Sequence, residues 1–324
     1  MESIMAERVI FKRALGLNNK DNPASLSVDT RNHIPSHSST AMYLPVAVNV
    51  DITDNGKVER RCGYVSVLSD LSNAHSLYSF NDDWLLFADN ETLYSHNILN
   101  DQLETLFAPL TPDKAVSYTT IGNMTMFCNG VESGLIAEDD TSLVVTDIPE
   151  YAGNSGDEMY EIGEMPVTNI VHYYKGSLYV ANKDTPFMYC SEPYNPFVYN
   201  KVKGNIVLPH GIRFISNTDN ALIVGTSRGL YAYSGNGLSD FREEVLTGSS
   251  CIMCSKLSSF ATNNAGVTDI KKGVAVLTGE GILLVDNSLG ITSVSETVDM
   301  DFKSIVNGSL AIVDNQIILS GELE

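Results

Sequence analysis

The chain has 324 residues, of which 40 are acidic and 20 basic, so its formal net charge is -20. A composition that is 43% hydrophobic and 19% charged is typical of a folded protein and excludes a disordered one. A surface this acidic repels polyphosphate, which argues against a specific nucleic-acid binder, and solubility alone would also explain the charge.

Residues 1–42 differ from the rest of the chain because turn-forming residues dominate them. The stretches 18–23 and 31–40 are rich in Asn, Pro and Ser, and short apolar pieces occur at 9–11 and at Leu15-Gly-Leu17. We expect an extended N-terminal arm that packs on a neighbouring surface, with Leu15 and Leu17 as contact residues. A frayed terminus is the alternative.

Regular β-pattern begins near residue 46. Residues 46–52 alternate between apolar and polar, Asp54-Asn-Gly56 forms a turn signal, and a second run returns over 58–68. This pattern predicts a β-hairpin with glycine at the position that needs a positive φ.

A unit of Gly, an alternating apolar strand and a polar turn then recurs, as in Gly176–Asn182 and Gly273–Thr278. Two short strands cannot bury their own apolar face, so units repeated at about 40 residues must stack, which is typical of a β-propeller. We predict an all-β chain with an arm at 1–42 and a propeller at 43–324, of about six blades, or seven if loops hide one. Candidate blades cover 75–108, 115–148, 167–208, 210–246 and 267–298, and 151–158 and 257–266 are expected to be loops. The short piece at 302–323 is expected to close the ring by pairing with the hairpin at 46–68.

Residues that could carry chemistry are scattered, and we predict no catalytic, cofactor or metal site. Cys251 and Cys254 have zinc or redox spacing, but no second ligand pair exists and their surroundings favour strand, so we expect two core cysteines. The carboxylate pairs are sequence neighbours in turns, and the single tryptophan, Trp84, is expected in the core. No stretch reaches the ~18 apolar residues that span a bilayer, and residues 1–13 lack a signal-peptide core, so we expect no membrane insertion and no classical secretion.

Two stretches of the sequence resemble a known class of proteins. One is Ala47-Val-Asn-Val-Asp-Ile-Thr-Asp-Asn-Gly-Lys-Val-Glu-Arg-Arg-Cys-Gly-Tyr64, followed by His75-Ser-Leu-Tyr78. The other is Met188-Tyr-Cys-Ser-Glu-Pro-Tyr-Asn-Pro-Phe-Val-Tyr199, followed by apolar runs at 205–208 and 221–231. Together they resemble virion proteins of tailed bacteriophages, and in particular the β-propeller nozzle and tail-hub proteins of short-tailed phages.

This resemblance implies a structural virion protein of the tail nozzle, hub or head-to-tail connector, made in the bacterial host cytoplasm. Its implied partners are other copies of itself in a six-fold ring, the portal or adaptor, other tail proteins, and genomic DNA that passes without specific binding. The acidic balance agrees with a conduit whose negative wall lets DNA slide.

Two other functions stay open from the sequence. A propeller binding module would hold a protein partner or a host-surface glycan, with Tyr194, Phe197 and Tyr199 as aromatic anchors, although these side chains could equally seal the join between blades. A propeller hydrolase would need a carboxylate cluster or a bound metal, and no positioned nucleophile or base is visible in the sequence. We therefore expect a protein that is not an enzyme.

Overall fold

The structure, a computed structural model, describes residues 11–17, 19–20, 40–44, 48, 50–52, 57–60, 66–68, 71–139, 142–150, 162–200, 202–264, 267–296, 298–313 and 316–323. This part of the chain contains 28 β-strands and no α-helix, which confirms the all-β prediction. The chain divides into two compact units, one of residues 1–67 and 293–301 and the other of residues 68–292 and 302–324.

The smaller unit contains two pairs of strands. β1 (Phe11–Leu17) lies parallel to β2 (Thr40–Leu44), and β3 (Val50–Ile52) pairs antiparallel with β4 (Val58–Arg60). The β3–β4 pair is the core of the predicted hairpin, and its turn at 53–56 lies outside the described residues. Asn19 donates from Nδ2 to the carbonyl of Asp299 (3.2 Å) and accepts from its amide (2.7 Å), so the arm segment is tied to residues 293–301.

The larger unit is a succession of antiparallel sheets in chain order. The first sheet is β5 (Ala74–Ser79), β6 (Trp84–Asp89), β7 (Thr92–Asn97) and β8 (Gln102–Phe107). The second is β9 (Ser117–Ile121), β10 (Met124–Cys128), β11 (Ser133–Asp139) and β12 (Ser142–Thr146). Each is a meander in which neighbours in sequence are neighbours in the sheet, because connections of two to four residues, such as Asn90-Glu91 (φ 52° at Asn90), join the strands.

The third sheet has six strands. Its meander is β14 (Ile170–Tyr174), β15 (Ser177–Ala181), β16 (Phe187–Glu192) and β18 (Asn205–Val207), and it is extended by β17 (Asn195–Asn200) and β13 (Ile162–Glu164). β16 pairs with β18 over its first half and with β17 over its second half. The predicted loop at 151–158 lies outside the described residues.

The fourth sheet is β19 (Ile212–Asn217), β20 (Ala221–Thr226), β21 (Gly229–Ser234) and β22 (Arg242–Thr247). The fifth is β23 (Cys251–Asn264), β24 (Val267–Thr278), β25 (Gly281–Asp286) and β26 (Ile291–Ser293). A short 3-10 helix (Phe302–Ser304) then leads into the hairpin of β27 (Ile305–Val313) and β28 (Gln316–Leu323).

One predicted loop is wrong. Residues 257–264 are not a loop but the second half of β23, paired with β24 as far as Asn264↔Val267. The Ser, Thr and Asn residues there satisfy their backbone groups by cross-strand hydrogen bonds, and a paired strand does not require apolar side chains. The fifth sheet therefore begins at Cys251 and not at residue 267.

Apolar cores lie between successive sheets. In β20, Leu222 and Val224 pack toward the third sheet, whereas Ala221 and Ile223 pack toward the fifth. This explains why β20 is apolar at four consecutive positions, since alternate side chains enter different cores. Similar cores join the first sheet to the second, around the buried Trp84, and the second to the third. The prediction for Trp84 is confirmed.

The first strands of the sheets also contact one another in succession, from β9 through β14, β19 and β23 to β27. Between β5 and β9 the link is made by Tyr78, whose ring stacks on Tyr118 (5.1 Å between centroids) and whose hydroxyl lies 2.7 Å from Thr120 Oγ1. Four-stranded antiparallel sheets stacked face to face, with adjacent first strands, are the arrangement of propeller blades.

Candidate functional site

The extension of the third sheet carries the aromatic residues that the sequence singled out. Tyr194 lies in the turn between β16 and β17 with φ of 59°, a conformation uncommon for a bulky residue. Its amide donates to the carbonyl of Gly176 (2.7 Å), and its ring lies over Gly176, where a Cβ would be 3.0 Å from Tyr194 Cε1. Gly176 itself has φ of 86°, a conformation that glycine adopts more easily than other residues. The Tyr194 ring therefore lies on a turn that favours glycine.

Tyr194 differs from the other two predicted anchors in exposure. It is 87% exposed, whereas Tyr199 is 1% exposed and its hydroxyl donates to the carbonyl of Leu178 (3.3 Å). Phe197 is half-buried against the core between the second and third sheets. Tyr199 and Phe197 therefore contact the join between sheets, and Tyr194 presents its ring to solvent.

The other predicted contact residues, Leu15 and Leu17, lie in β1, which pairs with the parallel strand β2 and places Leu17 opposite Leu44. Their side chains lie outside what the structure describes. Their role at subunit contacts stays a prediction.

A cleft of about 570 Å³ opens beside the Tyr194 turn. One wall comes from the third sheet, with Glu192 at the end of β16, Pro193 in the turn, Asn200 at the end of β17 and Lys203 in the segment after it. The opposite wall is the loop of residues 236–240 in the fourth sheet. The lining combines carboxylates, amides, hydroxyls and an ammonium group with two apolar side chains, Pro193 and Leu238.

Internal hydrogen bonds hold the loop wall in place. The Asp240 carboxylate accepts the amides of Asn236 (3.0 Å) and Gly237 (2.9 Å), which closes the loop upon itself. Lys175 Nζ donates to the carbonyl of Gly235 (2.9 Å), so the turn beneath Tyr194 is also tied to this loop. The wall is thus shaped before any ligand binds.

The wall on the third sheet is fixed in the same manner. Asn200 Oδ1 accepts the amides of Val202 (3.1 Å) and Lys203 (2.9 Å), and the Asn200 carbonyl accepts the amide of Gly204 (2.7 Å). A Cβ at Gly204 would lie 2.5 Å from the Asn200 carbonyl oxygen and 2.9 Å from that of Cys190. Glycine is therefore required for the backbone to approach so closely.

No activated nucleophile was found at the cleft. Burial raises the pKa of the Cys190 thiol, although hydrogen bonds from Tyr179 and Ser177 oppose the effect, so the thiol is neutral at physiological pH. Among the described residues, no group of three or more His, Cys, Asp or Glu side chains could hold a metal ion. Cys251 is buried in the core between the fourth and fifth sheets, and burial raises the pKa of both Cys251 and Cys254 to about 12.

Charge is distributed unevenly among the strands. The first strands of the sheets (β5, β9, β14, β19, β23 and β27) contain no Asp or Glu, in a chain with 40 acidic residues. Carboxylates lie instead on middle strands, such as Asp89 of β6 and Glu192 of β16, on last strands, such as the exposed Glu243 and Glu244 of β22, and in turns. Carboxylates that would line a DNA conduit therefore do not come from the first strands, and the conduit itself stays a prediction.

The sequence did not predict the cleft. Its walls come from residues about 40 positions apart, such as Asn200 and Asp240, which only the stacking of the third and fourth sheets brings together. A partial signal was present in the two prolines at 193 and 196, because proline within a strand pattern marks an edge or an irregular extension.

Comparisons with known proteins give only distant likenesses. No protein-family model matches the chain, and no curated protein matches it significantly. Among solved structures, the chain is similar to Saccharomyces cerevisiae Sqt1, with 14% identity, a TM-score of 0.42 and coverage of 75% of this chain and 65% of that one. It is also similar to an auxiliary nutrient binding protein from Bacteroides thetaiotaomicron (8%, TM-score 0.45, 69% and 57%) and to the Neurospora crassa Pan2 WD40 domain (8%, TM-score 0.42, 66% and 61%).

The chain thus spans 57% to 65% of the length of these three structures. Because every TM-score is below 0.5, the fold assignment rests on the sheet order and on the cores between sheets. No helix in the described part of the chain is long and apolar enough to cross a membrane. Taken together, these observations identify an all-β chain of stacked, propeller-like sheets with a preformed cleft beside an exposed tyrosine.

Proposed function

We propose that the chain is a structural protein of a tailed-bacteriophage virion, located in the tail nozzle, hub or head-to-tail connector. The observation that carries the proposal is the sequence run Ala47–Tyr64 and His75–Tyr78, which resembles such proteins. The described residues of this run include the strands β3, β4 and β5.

The packing supports a mechanical role. Each pair of successive sheets from the first to the fifth shares its own apolar core, and side-chain hydroxyls bind neighbouring first strands. Thr119 Oγ1 accepts the amide of Tyr173 (2.9 Å), and Ser117 Oγ accepts that of Val171 (3.3 Å). A stack joined in this way resists shear between sheets, as a component that transmits load must.

We further propose how the blades close and how copies of the chain assemble. Five stacked sheets and the β27–β28 hairpin make six blades, the last of which is completed by the early hairpin in the region of residues 46–68, so that no sheet edge stays open. Copies of the chain form a ring, with the arm of residues 1–42 folded on a neighbouring copy. In such a ring, exposed carboxylates on last strands and turns, such as Glu243 and Glu244, face the DNA and repel it.

The test is direct localisation in the particle. Virions of the phage that encodes the chain are purified on a density gradient, and the chain is quantified by mass spectrometry against the portal protein. Gold-labelled antibody against the chain is then imaged by electron microscopy. We expect a constant, small number of copies per portal ring and label at the tail. Particles that lack the chain, or label found only on unassembled material, would refute the proposal.

A further inference from the structure

We propose that Asn236-Gly237, in the loop wall of the cleft, is a self-modifying site at which Asn236 converts through a cyclic imide to aspartate and isoaspartate. The proposal does not depend on the virion role, because every group that carries it belongs to a single chain.

The first argument is the loop sequence and the space around it. In an Asn-Gly pair the Gly237 nitrogen can attack Asn236 Cγ, because the ring that forms has five members. Glycine has no Cβ to hinder this attack, and a Cβ placed at Gly237 would meet nothing within 4 Å. Asn236 is exposed, so water can reach the imide. The loop therefore has both the motif and the room for ring closure.

The second argument is a base on the attacking nitrogen. The Asp240 carboxylate accepts the N–H of Gly237 at Oδ1 (2.9 Å). The hydrogen of an amide lies in the peptide plane, whereas the nitrogen attacks through the face of that plane, so Asp240 can take the proton while the new bond forms. The amide of Asn236 donates to the same oxygen (3.0 Å), which fixes the carboxylate in this position.

The third argument is a cation at the carbonyl that is attacked. Lys175 Nζ lies 3.5 Å from Asn236 Oδ1, and its bond to the Gly235 carbonyl (2.9 Å) holds it there. Asn236 Oδ1 gains negative charge when the nitrogen adds to Cγ, and a fixed positive group stabilises that charge. A base and a charge stabiliser thus converge on one amide whose nucleophile is its sequence neighbour.

The reaction balances with one water molecule. The bond from Gly237 N to Asn236 Cγ forms, and the bond from Cγ to Nδ2 breaks. The Gly237 amide proton passes through Asp240 to Nδ2, which leaves as ammonia. Water then opens the imide at either carbonyl, which leaves a carboxylate at residue 236 on a normal or an isoaspartyl backbone. The new charge lies beside that of Asp240 and repels it, so the modification weakens the closure of the loop wall.

A second Asn-Gly pair gives an internal comparison. Asn129 of Asn129-Gly130 is 2% exposed, and its Oδ1 accepts the amides of Val131 (2.9 Å) and Glu132 (2.8 Å). A buried side chain that is held by two backbone amides is not free to rotate onto the Gly130 nitrogen. The same motif should therefore persist at residue 129 and react at residue 236.

The experiment follows conversion in the folded chain at neutral pH and body temperature by peptide mapping, in which each conversion adds about 1 Da. A synthetic peptide of residues 231–242, incubated in parallel, gives the rate without the folded loop. Asp240→Asn keeps the shape of the base but removes its basicity, and Lys175→Met keeps the stem but removes the ammonium group. Asp286→Asn is the matched control, because it removes a carboxylate that accepts turn amides in the fifth sheet.

We expect Asn236 of the folded chain to convert at least about threefold faster than the peptide, and Asn129 at least about tenfold slower. Asp240→Asn should slow conversion at Asn236 about tenfold and Lys175→Met about threefold, whereas Asp286→Asn should leave it unchanged. A folded rate no faster than that of the peptide, an unchanged rate in Asp240→Asn, or a covalent link between Lys175 and Asn236 would overturn the proposal. Should Asp240→Asn fail to fold, the comparison of the wild-type chain with the peptide still decides. Neither result alters the location of the chain in a particle, so the two proposals fail separately.

Discussion

Gly225→Ala tests whether the sheets are packed as tightly as the structure indicates. Gly225 lies in β20 opposite Phe214 of β19, and a Cβ at this position would meet three carbons of the Phe214 ring, with Cδ1 at 2.8 Å and the other two closer still. Ordinary van der Waals contact begins at 3.4 Å, so the ring must shift by about 1 Å. Phe214 is 7% exposed within the core between the fourth and fifth sheets, where close packing opposes such a shift.

The expected cost follows from these distances. Overpacking a closed core by one methyl group costs about 1–3 kcal/mol, while replacing a strand glycine by alanine recovers about 0.5–1 kcal/mol of backbone entropy. Because the nearest ring carbons are well inside contact distance, we take the upper half of the range and expect a net loss of about 2 kcal/mol. Gly248→Ala is the control, since nothing lies within 4 Å of its added Cβ, and it should change stability by less than about 0.5 kcal/mol.

Urea unfolding gives the measurement, followed both by fluorescence of the single tryptophan and by far-UV circular dichroism. Trp84 is 3% exposed in the first sheet, so its signal reports a region remote from Gly225 along the stack. Phe214→Leu provides the decisive double-mutant cycle, because a smaller side chain relieves the clash. In that background Gly225→Ala should cost less than about 1 kcal/mol, which gives a coupling above about 1 kcal/mol. An equal cost in both backgrounds, or none in wild type, would refute the packing argument.

Changes at Glu132, Cys251 and Gly176 test three further local features of the structure. The Glu132 carboxylate is partly buried, which raises its pKa, but side-chain hydrogen bonds, including one of 2.7 Å from the Thr111 hydroxyl, outweigh this and lower it. Its stabilisation is therefore present above the unfolded-state pKa and lost as pH falls through the folded-state pKa. Glu132→Gln should cost about 1 kcal/mol at pH 7, and this cost should shrink as pH falls through the folded-state pKa, measured by urea midpoints. Cys251, with its pKa raised by burial to about 12, should resist iodoacetamide at pH 8 in the folded protein and react fully in urea, as peptide mapping would show, and rapid native labelling would contradict its burial. Gly176→Ala, at φ of 86° and under the Tyr194 ring, should lower the free energy of unfolding by about 1–2 kcal/mol, and an unchanged urea midpoint would contradict the turn geometry.

Strand boundaries could be predicted from the sequence where local turn chemistry and apolar alternation agree. At Lys175-Gly176 the strand ends, two residues take positive φ, and the next strand begins, as the pattern around Gly176 predicts. The prediction failed at 257–264 because strand pairing there depends on a partner, β24, and not on side-chain polarity. The second strand pairing of β16 was equally invisible, since one short strand serves two neighbours only after β17 folds back.

The composition gives the net charge of the chain but not the position of its acidic residues in the stacked sheets. A net charge of -20 describes the chain as a whole, but the sheet order places its first strands, free of Asp and Glu, in contact with one another. A carboxylate there would be desolvated by the neighbouring sheet, at a cost that an exposed last strand does not impose. His172 of β14 illustrates the alternative, because its Nε2 lies 2.9 Å from Asn217 Oδ1 of β19 and makes a polar contact between first strands without a carboxylate. The first strands thus lack carboxylates where they contact one another, and the acidic side chains of these sheets lie on middle strands, on last strands and in turns.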